Sequence, residues 1–343
     1  ELRARLRANP DPVSVYRELL LPSAPSLSTS TKGARRTEQR MLAEQRQTLR
    51  SSGISLLAIS TEPRVEKLAA IPDAPLLLYA RGDLTALEGT AVAIVGARRA
   101  SRSGLELAAG LAAELARAGV VIVSGLALGI DAAAHRGALE GGGKTIAVLG
   151  SGVDRCQPVS NAPLARAIVE AGGLLLSEYA PGTAARPHHF PERNRLISGL
   201  AGAVIVVEAS KRSGSLITAR LALEQGRDVL AVPGQAGLPN SAGTNALLKA
   251  GAGLVEHTTD VLEALGRDLP GFASTLADAN AAPGDPIAQA LLDSLDGVAR
   301  SMDSLALALD LTPSDCAIHL TELELSGFVQ RVAGGYIRRP AGF

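Results

Sequence analysis

The middle of the chain alternates short apolar, β-branched runs with longer segments whose apolar residues recur at helical spacing. Continuous apolar runs bounded by glycine or serine are typical of strands buried on both faces. The alternation therefore predicts an α/β fold with a parallel sheet covered by helices on both faces. The predicted strands are Ala91–Val95, Val120–Ser124, Thr145–Leu149, Gly173–Ser177, Ala203–Glu208, Asp228–Val232 and Gly253–Glu256. The predicted helices are Ser103–Ala118, Asp131–Glu140, Ala162–Ala171, Arg193–Leu200, Ser215–Gln225 and Asn245–Ala250.

Nearly every predicted strand ends in glycine or serine, as at Gly96, Ser124-Gly125 and Gly150. Small residues allow the chain to turn tightly into the following helix. Ligands of such sheets usually bind at the carboxyl ends of the strands. We therefore expect the functional site at this edge of the sheet.

The first 85 residues are predicted to form a small N-terminal helical region. A short helix over Val13–Leu20 and a polar helix over Thr37–Ser51 flank a linker rich in serine, threonine and proline. A stretch broken by prolines follows, and prolines interrupt helices and central strands. The sheet domain is therefore predicted to span residues 86–267.

The C-terminal part of the chain has a different pattern, which follows a linker rich in alanine, proline and aspartate at residues 268–285. Residues 286–343 predict three helices and a β-hairpin, the order of a winged helix. The third helix, Pro313–Ser326, is the element that usually reads DNA in such domains. It carries three carboxylates and no lysine or arginine. Because phosphate repels an acidic helix, this domain is predicted to bind protein.

Composition hides this division, because 34 basic and 34 acidic residues in 343 give a formal net charge of zero. Residues 91–257 hold 16 basic and 12 acidic side chains, a charge of +4, whereas residues 258–343 carry −7. Only two cysteines are present, which excludes a disulfide framework and favours a reducing cytoplasm. No apolar run is long enough for a membrane helix, and we expect no signal peptide.

Three loops at the predicted strand ends combine arginines or hydroxyls with the start of a helix. Guanidinium groups and backbone N–H groups at helix starts bind phosphate oxygens, and an aromatic ring can contact a base. We expect at least one of Arg193 and Arg195 to be structural, paired with a carboxylate such as Glu178 or Glu208. The loops contribute Gly96, Arg98 and Arg99; Phe190, Arg193, Asn194 and Arg195; and Ser213, Gly214 and Ser215.

Other familiar motifs are incomplete. The string Gly143-Lys144-Thr145 looks like the end of a P-loop, but Ala138 replaces the required earlier glycine and a strand follows instead of a helix. The five histidines lack the spacing of metal ligands, and no catalytic triad or carboxylate pair is identifiable. We therefore expect no metal, no cofactor and no catalytic residue.

Together, these strings resemble the DprA (Smf) family, the DNA-processing proteins of natural transformation. The resemblance covers about 160 residues in the family's order, with Gln157-Pro158 where the family often has Tyr-Pro. Residues 1–85 match the family's sterile-alpha-motif-like domain poorly. The matching strings are Ala93–Gly96 with Arg98, Ser124–His135, Thr145–Gly150, Phe190–Arg195, Ser213–Ala219, Ala231–Gly234 and Gly243–Asn245.

The resemblance implies an extended Rossmann-like fold that binds single-stranded DNA and performs no known chemistry. It implies a cytoplasmic homodimer that loads RecA recombinase onto incoming single strands past the single-strand-binding protein SSB, a further candidate partner. Together with the loops described above, it gives one predicted DNA-binding set. The set is Gly96, Arg98, Arg99, Ser124, Gly125, Phe190, Arg193, Asn194, Arg195, Ser213, Gly214 and Ser215.

Two other functions stay open. Rossmann-like nucleotide hydrolases also use Gly-rich strand ends and an arginine, and Glu208 or Glu224 would then be the catalytic candidates. The helix start at Ser213–Thr218 lacks their P-G-G-x-G-T-x-x-E string. A winged-helix regulator of duplex DNA is the second alternative, against which the acidic third helix argues.

Overall fold

The computed structural model describes residues 47, 49, 51–59, 62–266, 285–295, 299–325, 328–332 and 334–338. The chain divides into two compact units, residues 1–268 and 269–343. The predicted helix Val13–Leu20, nearly all of Thr37–Ser51 and nearly all of the 268–285 linker lie outside the described residues.

The first unit is built on a nine-stranded sheet. Its strands are β1 Ile54–Ala58, β2 Leu77–Gly82, β3 Ala91–Val95, β4 Val121–Ser124, β5 Thr145–Leu149, β6 Leu174–Ser177, β7 Ala203–Val206, β8 Asp228–Ala231 and β9 Gly253–Leu254. The spatial order is β1-β2-β6-β5-β4-β3-β7-β8-β9. All pairs from β6 to β9 are parallel, whereas β2 pairs antiparallel with β1 and β6. The central strands are buried on both faces, which explains their continuous apolar runs.

Helices connect the parallel strands and cover the sheet. They are α1 Glu66–Ala69, α2 Arg102–Arg117, α3 Ile130–Glu140, α4 Ala162–Glu170, α5 His189–Leu200, α6 Ser215–Glu224, α7 Ala242–Lys249 and α8 Thr258–Leu265. The chain moves one way across the sheet from β3 to β6 and then crosses to β7 on the other side of β3. Right-handed crossovers place the helices of the two directions on opposite faces. The predicted Rossmann-like, doubly wound fold is confirmed.

The sheet begins earlier than the predicted boundary at residue 86. Strands β1 and β2 form an antiparallel extension on the edge strand of the parallel sheet, so this part of the predicted helical region contributes two strands to the sheet. Pro72 and Pro75 lie in the connection between these strands. They interrupt the apolar pattern there, which hid the two strands on either side of the connection.

The glycine-rich string before Lys144 has a packing role. A Cβ atom on Gly141 would lie 2.3 Å from the carbonyl oxygen of Ala113 in α2, so the close approach of α2 to the end of α3 requires glycine. The Lys144 Nζ lies 3.0 Å from the Asp83 Oδ2 and also donates to the Thr85 hydroxyl. Hydrogen bonds from Thr85 and then from Lys144 lower the pKa of Asp83 to about 2. The P-loop-like string thus joins neighbouring elements of the fold.

The second unit is the predicted winged helix. It consists of α9 Pro286–Ser294, α10 Met302–Ala308, α11 Pro313–Leu325, β10 Val329–Val332 and β11 Gly335–Arg338. Leu291, Leu305 and Leu320 share its small core. Thr312 caps α11, because its hydroxyl accepts from the Asp315 N–H at 3.2 Å. No helix among the residues described in either unit is long and apolar enough to cross a membrane.

Candidate nucleic-acid interface

An open cleft of about 700 Å³ lies at the carboxyl ends of the strands in the first unit. β3 lies between β4 and β7, where the direction of the chain across the sheet reverses, and ligands of open α/β sheets bind at such a switch point. We call it the strand-end cleft. It is lined by residues from 95–99, 187–197 and 210–218, with Ala127, Asp131 and Asn240.

The strand-end cleft brings together most of the predicted DNA-binding set, although these residues come from three separate loops. Ser124, Gly125 and Arg195 are not among its lining residues. The nine that line it are Gly96, Arg98, Arg99, Phe190, Arg193, Asn194, Ser213, Gly214 and Ser215.

The loop after β3 presents two exposed arginines, Arg98 and Arg99. Neither forms an ion pair with another residue that the structure describes. The backbone beneath them is fixed, because the Ile130 N–H donates to the Ala97 oxygen at 3.2 Å. A Cβ atom on Gly96 would lie 2.6 Å from Ile130 Cγ1. The loop therefore holds two exposed guanidinium groups above a closely packed backbone, next to the start of α2.

Arg193, although it lines the cleft, is buried and bound to the main chain. Its Nη1 donates to the Gly125 oxygen at 2.6 Å and to the Val148 oxygen. A Cβ atom on Gly125 would lie 2.1 Å from the Arg193 Nη2, so glycine makes room for the guanidinium. Burial lowers the pKa of Arg193 to about 10, while Asp131 opposes this shift. Arg193 is therefore protonated at neutral pH and ties the ends of β4 and β5 to α5.

Asp131 interacts electrostatically with Arg193 in the wall of the cleft. Its Oδ2 accepts a hydrogen bond from the Gly125 N–H at 3.2 Å. Burial raises the pKa of Asp131, and the positive charge of Arg193 opposes that shift. Each residue therefore opposes the effect of burial on the pKa of the other. The exposed Arg98 and Arg99 supply positive charge at the surface of the cleft.

Two predicted residues have structural partners outside the cleft. The buried Ser124 hydroxyl donates to the Ile94 oxygen at 2.6 Å and joins neighbouring strands. The Arg195 Nη2 donates to both Glu178 carboxylate oxygens, at 2.9 and 2.7 Å, and its Nε donates to Asp73 Oδ2 at 3.1 Å. The expectation that one arginine of this segment pairs with a carboxylate such as Glu178 is confirmed for Arg195.

The helix α5 begins four residues before the predicted start, at His189. The His189 ring stacks on Tyr179 with centroids 4.0 Å apart, and its Nδ1 lies 2.9 Å from the Gly150 oxygen. Pro191 fits in the first turn because a backbone N–H there has no partner within the helix. This anchored start places Phe190 in the cleft.

The turn before α6 provides hydroxyl and amide groups. The Ser213 and Ser215 hydroxyl oxygens lie 2.7 Å apart, and the Asn194 Nδ2 donates to the Gly214 oxygen at 3.4 Å. This contact joins the starts of α5 and α6 across the cleft. Hydroxyls and N–H groups in this arrangement suit anion binding.

Sequence patterns missed Asn240, which lines the cleft from the loop after β8. It follows a proline in a loop rich in glycine and proline, and no periodicity marks it. The two carboxylates proposed for a hydrolase have other partners. Glu208 accepts hydrogen bonds from Ser101 and Asn240. On the exposed face of α6, the Glu224 Oε1 lies 3.5 Å from the Arg220 Nε.

The described parts of the chain contain no group of three or more histidine, cysteine, aspartate or glutamate side chains that could hold a metal ion. The buried His135 shows the structural use of histidine here. Its Nδ1 lies 2.7 Å from the Thr145 hydroxyl, which itself donates to the Ile122 oxygen at 2.7 Å. The ring Nδ1 must therefore carry the donated proton. Burial lowers the pKa of His135 to about 3, so this ring is neutral at physiological pH.

The fold and cleft define a Rossmann-like α/β protein with two exposed arginines at its switch point and a C-terminal winged helix. Comparison with family models matches residues 56–266 to "DNA recombination-mediator protein A" and residues 275–335 to "DprA winged helix domain". The chain belongs to the DprA (Smf) family.

Relatives extend over most of the chain. Protein Smf of Escherichia coli K12 is 38% identical over 315 residues, which cover 88% of this chain and 84% of that protein. The solved structure of DNA processing protein A from Streptococcus pneumoniae matches with a TM-score of 0.59 and 40% identity, over 69% of this chain and 83% of the other. The Helicobacter pylori structure, described by its single-stranded DNA binding mode, matches with a TM-score of 0.57 and 33% identity, over 63% and 97%.

Proposed function

We propose that this protein binds single-stranded DNA in the strand-end cleft. The observation that carries the proposal is the pair of exposed arginines, Arg98 and Arg99, which form no ion pair with a described residue and line the cleft with the Ser213–Ser215 turn. A relative of the same fold is described by its single-stranded DNA binding mode. An open cleft of this kind suits a flexible single strand better than a stiff duplex.

Binding is proposed to rest on the DNA backbone rather than on its sequence. Phe190 is the aromatic residue among those lining the cleft, so stacking is limited to one ring. Guanidinium and N–H groups contact phosphates whatever the base. Affinity should therefore fall steeply with salt, by a slope of about 0.7 in log K against log salt for each phosphate contact.

The further roles in the proposal rest on family membership. As a DprA-family protein, the chain is proposed to act in natural transformation as a cytoplasmic homodimer without enzymatic activity. It would protect incoming single strands and load RecA onto them in the presence of SSB. Homologues named DNA processing protein DprA support a role in DNA processing. A strand-exchange assay with RecA and SSB-coated DNA, with and without this protein, tests the loading step.

Fluorescence anisotropy with labelled oligothymidine tests the DNA site. Arg98→Ala and Arg99→Ala should each weaken binding about tenfold, the size of one charge-assisted hydrogen bond. Each should also reduce the salt slope by about 0.7. Arg166→Ala, at an exposed arginine of α4, is the matched control and should bind as the unsubstituted protein does. Unchanged binding curves for both cleft variants would exclude this site.

For the winged helix we propose a protein partner. Three carboxylates and no lysine or arginine lie on α11, while Leu307 and Ile318 are exposed on α10 and α11. Removal of residues 269–343 should therefore leave oligothymidine affinity unchanged. Tight duplex binding that is lost with these residues would favour a duplex-DNA regulator instead.

A further inference from the structure

Glu208 lies in the loop after β7, two residues before Ser210, and Ser210 lines the strand-end cleft. Its carboxylate is therefore close to the cleft. A negative charge this close to a phosphate site weakens anion binding. The position of Glu208 therefore calls for a structural reason. The side chain is directed at neutral donors. Its Oε2 accepts from the Ser101 N–H at 2.9 Å, and its Oε1 accepts from the Ser101 hydroxyl at 2.5 Å.

Asn240 completes this arrangement from a third loop. Its Nδ2 donates to the Glu208 Oε2 at 3.2 Å and to the Arg99 oxygen at 2.9 Å. The Ser101 hydroxyl also caps α2, because it accepts from the Gly104 N–H at 3.0 Å. A Cβ atom on Gly104 would lie 2.6 Å from Glu208 Cδ, so glycine leaves space for the carboxylate. The backbone that carries Arg98 and Arg99 is thus held at Arg99 and Ser101 by one connected set of bonds.

We propose that Glu208 is a positioning residue for single-stranded DNA binding. It fixes the Arg98–Ser101 backbone, so that both guanidinium groups and the start of α2 face the cleft together. The inference rests on the proposed function, and it assigns to Glu208 a role that needs hydrogen-bond acceptors but no proton transfer. Loss of the acceptors releases the loop and disperses the positions of both arginines.

Glutamine distinguishes this role from acid–base chemistry. The Glu208→Gln amide oxygen can accept from the Ser101 N–H and from Asn240, and its NH2 group can donate to the Ser101 hydroxyl. The hydroxyl oxygen has two lone pairs, so it can accept from the amide that this substitution introduces and still accept from the Gly104 N–H. Glu208→Gln should therefore preserve the loop, whereas Glu208→Ala should release it. A general base would lose its function in both variants.

The first experiment measures oligothymidine affinity and its salt slope. Glu208→Ala should weaken binding about tenfold and lower the slope, while Glu208→Gln should stay within about twofold of the unsubstituted protein. In a background that carries both Arg98→Ala and Arg99→Ala, Glu208→Ala should have no further effect, because the positioned groups are gone. Glu224→Ala is the matched acidic control. If Glu208→Ala binds like this control, or if Glu208→Gln binds as weakly as Glu208→Ala, the inference is overturned.

A second experiment needs no DNA. Trypsin cleaves after arginine, and Arg98, Arg99 and Arg102 are exposed. Cleavage at this loop should be faster in Glu208→Ala than in the unsubstituted protein, but unchanged in Glu208→Gln and Glu224→Ala. Equal cleavage rates in all four proteins would overturn the inference. If the unsubstituted protein fails to bind oligothymidine, the proposed function falls, and the trypsin result alone decides whether Glu208 positions the loop.

Discussion

The guanidinium carbon of Arg98 lies 5.4 Å from the centre of the Phe190 ring, at the surface of the strand-end cleft. The buried Arg193 guanidinium carbon lies 6.0 Å from the same centre. A cation over an aromatic ring at this distance is stabilised by about 0.5–1 kcal/mol at exposed sites. Phe190 therefore orients the exposed arginine in addition to any contact with a base.

Replacing the ring should weaken DNA binding through Arg98. We expect Phe190→Leu to lower oligothymidine affinity about threefold, in line with one exposed cation–π contact, and Phe190→Trp to retain affinity. In an Arg98→Ala background the same replacement should have little effect. Anisotropy titrations of the four combinations measure this coupling. A full loss that persists without Arg98 would show instead that the ring stacks on a base.

Arg193→Met should destabilise the fold. The substitution leaves Asp131 buried without its balancing charge and leaves the Gly125 and Val148 oxygens without this donor. Breaking a buried pair from one side costs about 3–5 kcal/mol. Urea unfolding followed by circular dichroism measures the loss, with Arg166→Met as the exposed control. A loss below about 1 kcal/mol would contradict the structural role.

Arg195→Met is expected to affect stability more than DNA binding. Its guanidinium pairs with Glu178 and Asp73, and its side chain is only 9% exposed. We expect a loss of about 2 kcal/mol in the free energy of unfolding and an oligothymidine affinity within about twofold. Urea unfolding and anisotropy on the same preparation separate the two effects. A clear loss of affinity at unchanged stability would restore the prediction that Arg195 contacts DNA.

Acid should destabilise the protein partly through His135. Desolvation, then the nearby Arg193 charge, lowers its native pKa to about 3, whereas the unfolded imidazole titrates near about 6.5. Between these values the unfolded chain binds a proton that the native state does not, so stability falls as the pH falls. The loss from this group is about 2 kcal/mol between pH 7.5 and pH 5.

His135→Gln removes that titration and keeps an amide for the Thr145 hydroxyl. Its unfolding free energy, measured across the same pH range, should fall by about 2 kcal/mol less than that of the unsubstituted protein. Asp131 titrates in both proteins, and its raised pKa acts in the opposite direction, so the comparison isolates the histidine. Parallel stability curves would disprove the assignment.

The two arginines of one short segment show where sequence reasoning ends. The string around Arg193 and Arg195 predicted a phosphate contact from one of them and a structural role for at least one, because arginines at a helix start suit anions. Arg193 instead binds the oxygen of Val148, 45 residues away, and Arg195 binds Asp73, 122 residues away. Neither partner can be chosen from local spacing, since each depends on how β2, β5 and α5 pack in space.

The sequence patterns missed the strands β1 and β2 and the hydrogen bonds of Glu208 with Ser101 and Asn240 for related reasons. Parallel strands buried on both faces leave continuous apolar runs, so the sequence pattern predicts β3 to β8. Strands β1 and β2 extend the sheet as an antiparallel pair across a proline-containing connection. The bonds from Glu208 to Ser101 and Asn240 join three loops that only the sheet order brings together.

The sequence by itself determined the α/β class, the winged helix, the family and the expectation that ligands bind at the strand ends. Those properties follow from local periodicity, capping residues and contiguous motifs, which act over a few residues. Only the tertiary structure decided which cationic side chains remain available. Burial and hydrogen bonds between distant segments occupy the guanidinium groups of Arg193 and Arg195 within the protein and leave Arg98 and Arg99 facing solvent. The tertiary structure decides this because the availability of a charged side chain depends on the residues that pack against it in space, and not on its neighbours along the chain.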